Sequence, residues 1–186
     1  RESKMDMELV LDAAQRGQDL VNQILAFSRK EETKKQTINI NILVKETVKM
    51  LQSLLPSTIK IDVALPEDDT KIKADPTQIQ QILINLASNS AHAMRETGGE
   101  FSIELSHVLL DEEISTLNLN VEPGLYCRFA VKDTGPGIDE HIIDRVFEPF
   151  FTTKQVDEGS GMGLSVVHGI VTEHQGAINL DSGPGK

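Results

Sequence analysis

The chain has 186 residues, with 18 Lys+Arg against 29 Asp+Glu and a net charge of -11, a size that suits one compact domain plus an extra element. The acidic balance and the lack of a basic stripe argue against a general nucleic-acid binder, and a lone cysteine, Cys127, leaves no intrachain disulfide and no cysteine-rich metal site. No apolar run approaches the ~20 residues of a bilayer span, so a cytoplasmic domain is expected, with any membrane anchor outside this chain.

The first element predicted is a long helix. Met7, Val10, Leu11, Ala14, Gly17, Leu20, Val21, Ile24, Leu25 and Phe27 recur near heptad spacing. This stripe reads either as an amphipathic helix packed on its own domain or as one helix of a dimeric bundle. The charged run Arg29 to Lys35 reads as a linker.

A second region begins near Thr37. Thr37 to Ile40 predicts a short strand. Ile42, Leu43, Thr47, Met50 and Leu51 predict a helix ending before Pro56. Thr58 to Leu65 alternates and reads as a strand, as does Lys71 to Ala74. Asp75 is placed as N-cap of a helix with Pro76 at its first position, and Gln78 is placed to complete a capping box. That helix is expected to run through Met94 and end at Gly98-Gly99. Strands follow at Phe101–Leu109 and Leu125–Lys132, separated by a polar loop. Cys127 falls in the second of them and reads as a core residue. A short helix near Glu140–Val146, a glycine-rich loop, a helix from about Met162 to His174 and a strand at Ala177–Asp181 complete the order. A further strand is expected after Gly183-Pro184-Gly185-Lys186, so the chain reads as clipped.

Four stretches carry chemistry. In Asn85-Leu86-Ala87-Ser88-Asn89-Ser90-Ala91-His92-Ala93, the two asparagines stand four apart on a helix, so both amides project from one face. An amide oxygen is a neutral, hard ligand suited to Mg2+. Asp133-Thr134-Gly135-Pro136-Gly137-Ile138 follows a strand. Its glycines allow a tight turn, and its carboxylate can accept from an exocyclic amine such as that of adenine; the same residues also suit an ordinary turn. Gly159-Ser160-Gly161-Met162-Gly163-Leu164 opens a helix, where amide N–H groups and the helix N-terminus favour an anion. It follows no strand, so a dinucleotide fingerprint is rejected. Between the last two lies Phe147-Glu148-Pro149-Phe150-Phe151-Thr152-Thr153-Lys154, which reads as a hinged lid with an aromatic anchor, Lys154 being either a phosphate contact or a solvated lysine. The five histidines show no metal spacing: His92 and His168 read as helix residues near the site at most, and His107, His141 and His174 as surface.

Together and in this order, the four stretches resemble the asparagine, first-glycine, phenylalanine and second-glycine boxes of bacterial two-component sensor histidine kinases, members of the GHKL superfamily. The resemblance covers about Thr37 to Lys186. It implies an α/β two-layer sandwich of the Bergerat type, a mixed sheet with helices on one face, preceded by the long N-terminal helix. Residues 1–34 would be the second helix of a dimerisation and histidine-phosphotransfer domain with its linker, and residues 37–186 the catalytic ATP-binding domain. By the same resemblance, Asn89 ligates Mg2+ and Asn85 lies beside the phosphates of ATP. Asp133 binds the adenine amine, with Gly135, Gly137 and Ile138 around it. Gly159, Gly161, Met162, Gly163 and Leu164 line the phosphates, with Thr153 and Lys154 nearby.

Asn85 replaces the glutamate with which gyrase-like relatives activate water, and an amide is no general base. The implied reaction is therefore transfer of the ATP γ-phosphoryl to a histidine outside this chain, then to the aspartate of a response-regulator receiver domain. A homodimer through the helical bundle of a longer protein is expected. A GHKL ATPase or a non-catalytic nucleotide-sensing or docking module are the competing readings.

Overall fold

The computed structural model describes residues 34–111, 121–154 and 159–183. The long first helix expected from the sequence lies outside them. Strand β1 (Gln36–Asn39) pairs antiparallel with β3 (Lys71–Ala74). The strand expected to include Ile40 ends one residue earlier, because Asn39 caps a helix. Its Oδ1 accepts from the amides of Asn41 and Ile42 at 3.1 and 3.4 Å, which starts α1 (Ile40–Leu54) at Ile40. Buried Asn41 in turn donates its Nδ2 to the carbonyls of Pro66 and Asp68, pinning the loop ahead of β3.

The main sheet has three strands in the order β2 (Ile59–Ala64), β4 (Gly99–Leu110), β5 (Gly124–Asp133). β2 runs parallel to β4, and β5 antiparallel to it, so the sheet is mixed. Its register decides which side is wet. Ile61 pairs with Phe101, Phe101 with Asp133, Ile103 with Val131 and Leu105 with Phe129. Side chains in register share a face, so these form one apolar surface with Asp133 at its end. Helices α1 and α2 (Pro76–Ala93) cover it: Val44, Leu51, Leu83 and Ala87 pack into one core with Phe101 and Ile103. The alternate positions Lys60, Glu104, Arg128 and Lys132 are exposed, and Lys60 meets Glu100 across strands at 3.0 Å. The two layers of the α/β sandwich are thus one sheet and the helices on one of its faces.

A 3-10 helix (Glu140–Arg145) leads to α3 (Gly163–Glu173), which packs on α2 through Ile82, Val167 and Ile170. The far ends of these two helices meet the entering chain. Asp75 caps α2, accepting from Thr77 and Gln78 amides. The expected capping box does not close: Gln78 donates its Nε2 to Glu173 Oε2 at 3.0 Å. The Asp75 amide instead donates to His174 Nε2 at 3.1 Å, while His174 Nδ1 lies 2.8 Å from the Ile170 carbonyl. One neutral tautomer, protonated at Nδ1, satisfies both contacts. Lys34 donates its amide to Asp75 Oδ2, and Lys35 its ammonium to the Glu173 carbonyl. His174, read from sequence as a surface residue, is therefore a half-buried keystone of this junction.

Two further boundaries differ from expectation. α2 ends at Ala93, and the chain reaches Gly98 through a turn in which the Gly98 amide donates to the Met94 carbonyl at 2.8 Å. Residues 177–181 form no strand, since they enter no ladder among the described residues. Ile178 anchors this segment against the α2–α3 core instead.

Candidate functional site

The C-terminal half of α2 connects the two halves of the site, because neighbouring residues on it face different partners. Ser90 is buried and its hydroxyl donates to Asp133 Oδ2 at 2.6 Å. The Gly135 amide donates to the other oxygen, Oδ1, at 2.9 Å. The carboxylate is therefore oriented on both oxygens from the protein side, at the edge of the apolar face that includes Phe101. A Cβ on Gly135 would stand 2.8 Å from Asp133 Oδ1 and 3.3 Å from Ala93 Cβ, so only a glycine lets this turn close over α2 without displacing the acid. Thr134 locks the same turn to β4: its hydroxyl accepts from the Glu100 amide at 2.9 Å and its amide donates to the Glu100 carbonyl at 3.1 Å. An open depression of about 610 Å³ borders this turn, lined in part by His92, Ala93, Thr134, Gly135 and Pro136.

Asn89, one residue before Ser90, faces the other half. Lys154 donates its Nζ to Asn89 Oδ1 at 3.4 Å. A Cβ on Gly163, at the start of α3, would lie 3.4 Å from Asn89 Nδ2. α3 begins with no side-chain cap on its first turn. Its leading amides are thus not satisfied by a cap, the arrangement that suits an anion. Gly159 sits against the Lys154 stem, and Gly161, at φ +66°, packs its Cα side onto the backbone of Phe150. The segment ahead of Lys154 is anchored by Arg145, whose guanidinium stands 4.4 Å over the Phe151 ring, and by Phe147, whose ring centroid is 5.6 Å from that of His168.

Of the residues singled out from sequence, the fold brings Asn89, Lys154, Gly159 and Gly163 together on one side of α2, and Asp133 with Gly135 on the other. Met162 is buried beneath the start of α3, with Leu164 half-buried beside it. Ile138 is tied elsewhere, its amide donating to Ser182 Oγ at 2.9 Å. Thr153 and Gly137 are exposed, and Asn85 stands half-buried one helical turn before Asn89. Sequence reasoning passed over Ser90 and Thr134. Ser90 carried a signal: a hydroxyl on the buried face of a helix needs an acceptor.

The chain is also similar to known proteins. Residues 74–186 match the family described as histidine kinase-, DNA gyrase B-, and HSP90-like ATPase. The sensor kinase CckA of Brucella abortus (strain 2308) is 33% identical over 97% of this chain, which spans 19% of that protein. The sensory histidine kinase/phosphatase NtrB of Klebsiella oxytoca is 30% identical over 96% of this chain, which spans 48% of it. The chain therefore spans less than half the length of either relative. Among solved structures, the catalytic domain of the histidine kinase ThkA superposes with a TM-score of 0.56 at 29% identity, covering 76% of this chain and 82% of that one. ThkA in complex with the response regulator protein TrrA superposes with a TM-score of 0.66 at 25% identity, covering 93% of this chain and 45% of that one.

Proposed function

Since the chain belongs to the histidine kinase-, DNA gyrase B-, and HSP90-like ATPase family, with ATP as the nucleotide its fold is built to bind, we propose that it is the catalytic part of a sensor histidine kinase, transferring the γ-phosphoryl of ATP to a histidine. The observation that carries this reading is the placement of Ser90 and Asn89 side by side on α2. One residue fixes the acid that reads the base, and the next faces the glycine-rich start of α3.

In this proposal Asp133 accepts from the exocyclic amine of adenine. Its orientation by Ser90 and Gly135 leaves the carboxylate little freedom to lose on binding. The open amides at the start of α3, with Gly161 and Gly163, hold the phosphates. Both groups fit the residues present. The Gly135 turn leaves no room for a Cβ beside the acid, and the Asn89 amide oxygen already accepts from a cationic group. Mg2+ would be held by Asn89 together with the nucleotide's own oxygens, and would offset phosphate charge in the transfer. Asn85 supports transfer over hydrolysis, because its amide has no basic lone pair with which to activate water. Catalysis then rests on positioning and charge compensation rather than on a general base.

By extension, in the longer protein the phosphorylated histidine passes its group to the receiver domain of a response regulator, and the chain acts as a homodimer from the cytoplasmic side. The complex of ThkA with the response regulator protein TrrA supports partnering with a response regulator. The experiment is incubation of this chain with radiolabelled ATP and a histidine-bearing helical bundle supplied in trans. Label on the bundle that is acid-labile and alkali-stable supports the proposal. Release of inorganic phosphate without label on the bundle would favour an ATPase instead.

A further inference from the structure

Lys154 contacts the same oxygen that the proposed function gives to Mg2+. The amide of Asn89 has one acceptor end, and only that end can face an ammonium. Here it faces Lys154 Nζ at 3.4 Å, with the nitrogen end toward Gly163. A divalent ion held by this oxygen would sit beside the lysine charge, and two cations on one neutral oxygen repel. The two therefore compete for this oxygen. The local chain holds the lysine where it is: the Lys154 amide donates to Thr152 Oγ1 at 3.1 Å, and the stem crosses Gly159, where a Cβ would come within 2.7 Å of Lys154 Cδ.

We propose that Lys154 is an internal cation for Asn89, which takes the metal's place in the nucleotide-free chain and gives it up when a Mg-nucleotide binds. The proposal rests on the reading of Asn89 as the metal-side ligand. Two consequences follow. Metal entry is coupled to displacement of Lys154, which frees its charge to turn toward the phosphates. In the absence of metal, the lysine supplies part of the positive charge that the phosphates need, so the parent chain depends on Mg2+ less than a chain without it.

The test is ADP affinity with and without Mg2+, measured in the parent, Lys154→Met, Gly159→Ala and Asn89→Ala. The gain in affinity on adding Mg2+ is expected to be at least threefold larger in Lys154→Met than in the parent. Gly159→Ala, which crowds the stem off Asn89 while keeping the charge, should free Asn89 for the metal and so tighten Mg-ADP binding. A second readout needs no ligand: the Asn89 side-chain amide signals in NMR spectra, identified by their loss in Asn89→Ala, should shift in Lys154→Met. If Asn89→Ala abolishes the Mg2+ effect while Lys154→Met leaves it at the parental value, the internal-cation proposal is overturned and the metal reading survives. If Asn89→Ala leaves the Mg2+ effect intact, the metal reading is wrong and the proposal fails with it.

Discussion

The hydroxyl of Ser90 stands 2.6 Å from Asp133 Oδ2, binding the middle of the site-bearing helix to the acid at the end of β5. The contact spans helix layer and sheet layer, so it sets the acid's direction as well as its distance. Ser90→Ala removes a hydrogen bond to a charged group, an effect of about 1.5–3 kcal/mol. Because the Gly135 amide still orients the carboxylate, only part of this reaches binding: ADP affinity is expected to fall about threefold to tenfold by calorimetry, less than for loss of the carboxylate itself. Unchanged affinity would mean that the Gly135 amide alone orients Asp133.

Gly161→Ala tests the neck of the glycine-rich stretch. The residue lies at φ +66°, and an added Cβ would come within 2.4 Å of the Phe150 carbonyl carbon, a backbone atom with little room to yield. Strain of about 1–3 kcal/mol from the backbone conformation alone, plus the clash, predicts displacement of this segment. Nucleotide affinity should drop while urea denaturation of the core changes little, because Gly161 lies outside both apolar clusters.

At the opposite ends of α2 and α3, Asp75 and His174 share one network with Lys34, Lys35, Gln78 and Glu173. Asp75→Ala loses an N-cap, about 0.5–2 kcal/mol of stability. His174→Phe leaves the Asp75 amide without its acceptor, about 1–3 kcal/mol. Because the two act on one cap, the double variant should cost less than the sum by roughly 0.5 kcal/mol or more. Urea unfolding of the four proteins measures this, and strict additivity would dissolve the shared network.

Burial raises the Cys127 thiol above its ordinary range. A raised value keeps it protonated at neutral pH, so little thiolate is present to react. Modification by a disulfide reagent in the native chain should be slower than in urea at pH 7.5, and the gap should narrow as pH rises.

Much of this was legible before the structure, for reasons that differ by element. α2 announced itself because Asp75-Pro76 is both cap and helix start, and its apolar residues kept helical spacing. β2 was visible from the alternation of Thr58 to Leu65. The errors fall where a side chain chose a tertiary partner over a local one. Gln78 reached Glu173 rather than closing a capping box, and His174 gained two hydrogen bonds that no local pattern signals. Residues 177–181 have strand-like composition, but a strand exists only through its ladder. The site was legible as four short stretches. Their division around α2 was not, because Asn89 and Ser90 look alike in sequence and only the fold turns one toward Lys154 and the other toward Asp133.

The most direct measurement is calorimetric titration of Mg-ADP into this chain and into Asp133→Asn. Saturable binding by the parent is expected, weakened at least tenfold when the carboxylate proposed to accept from adenine becomes an amide. A folded parent that binds no Mg-ADP, or an Asp133→Asn chain that binds as tightly as the parent, would contradict it.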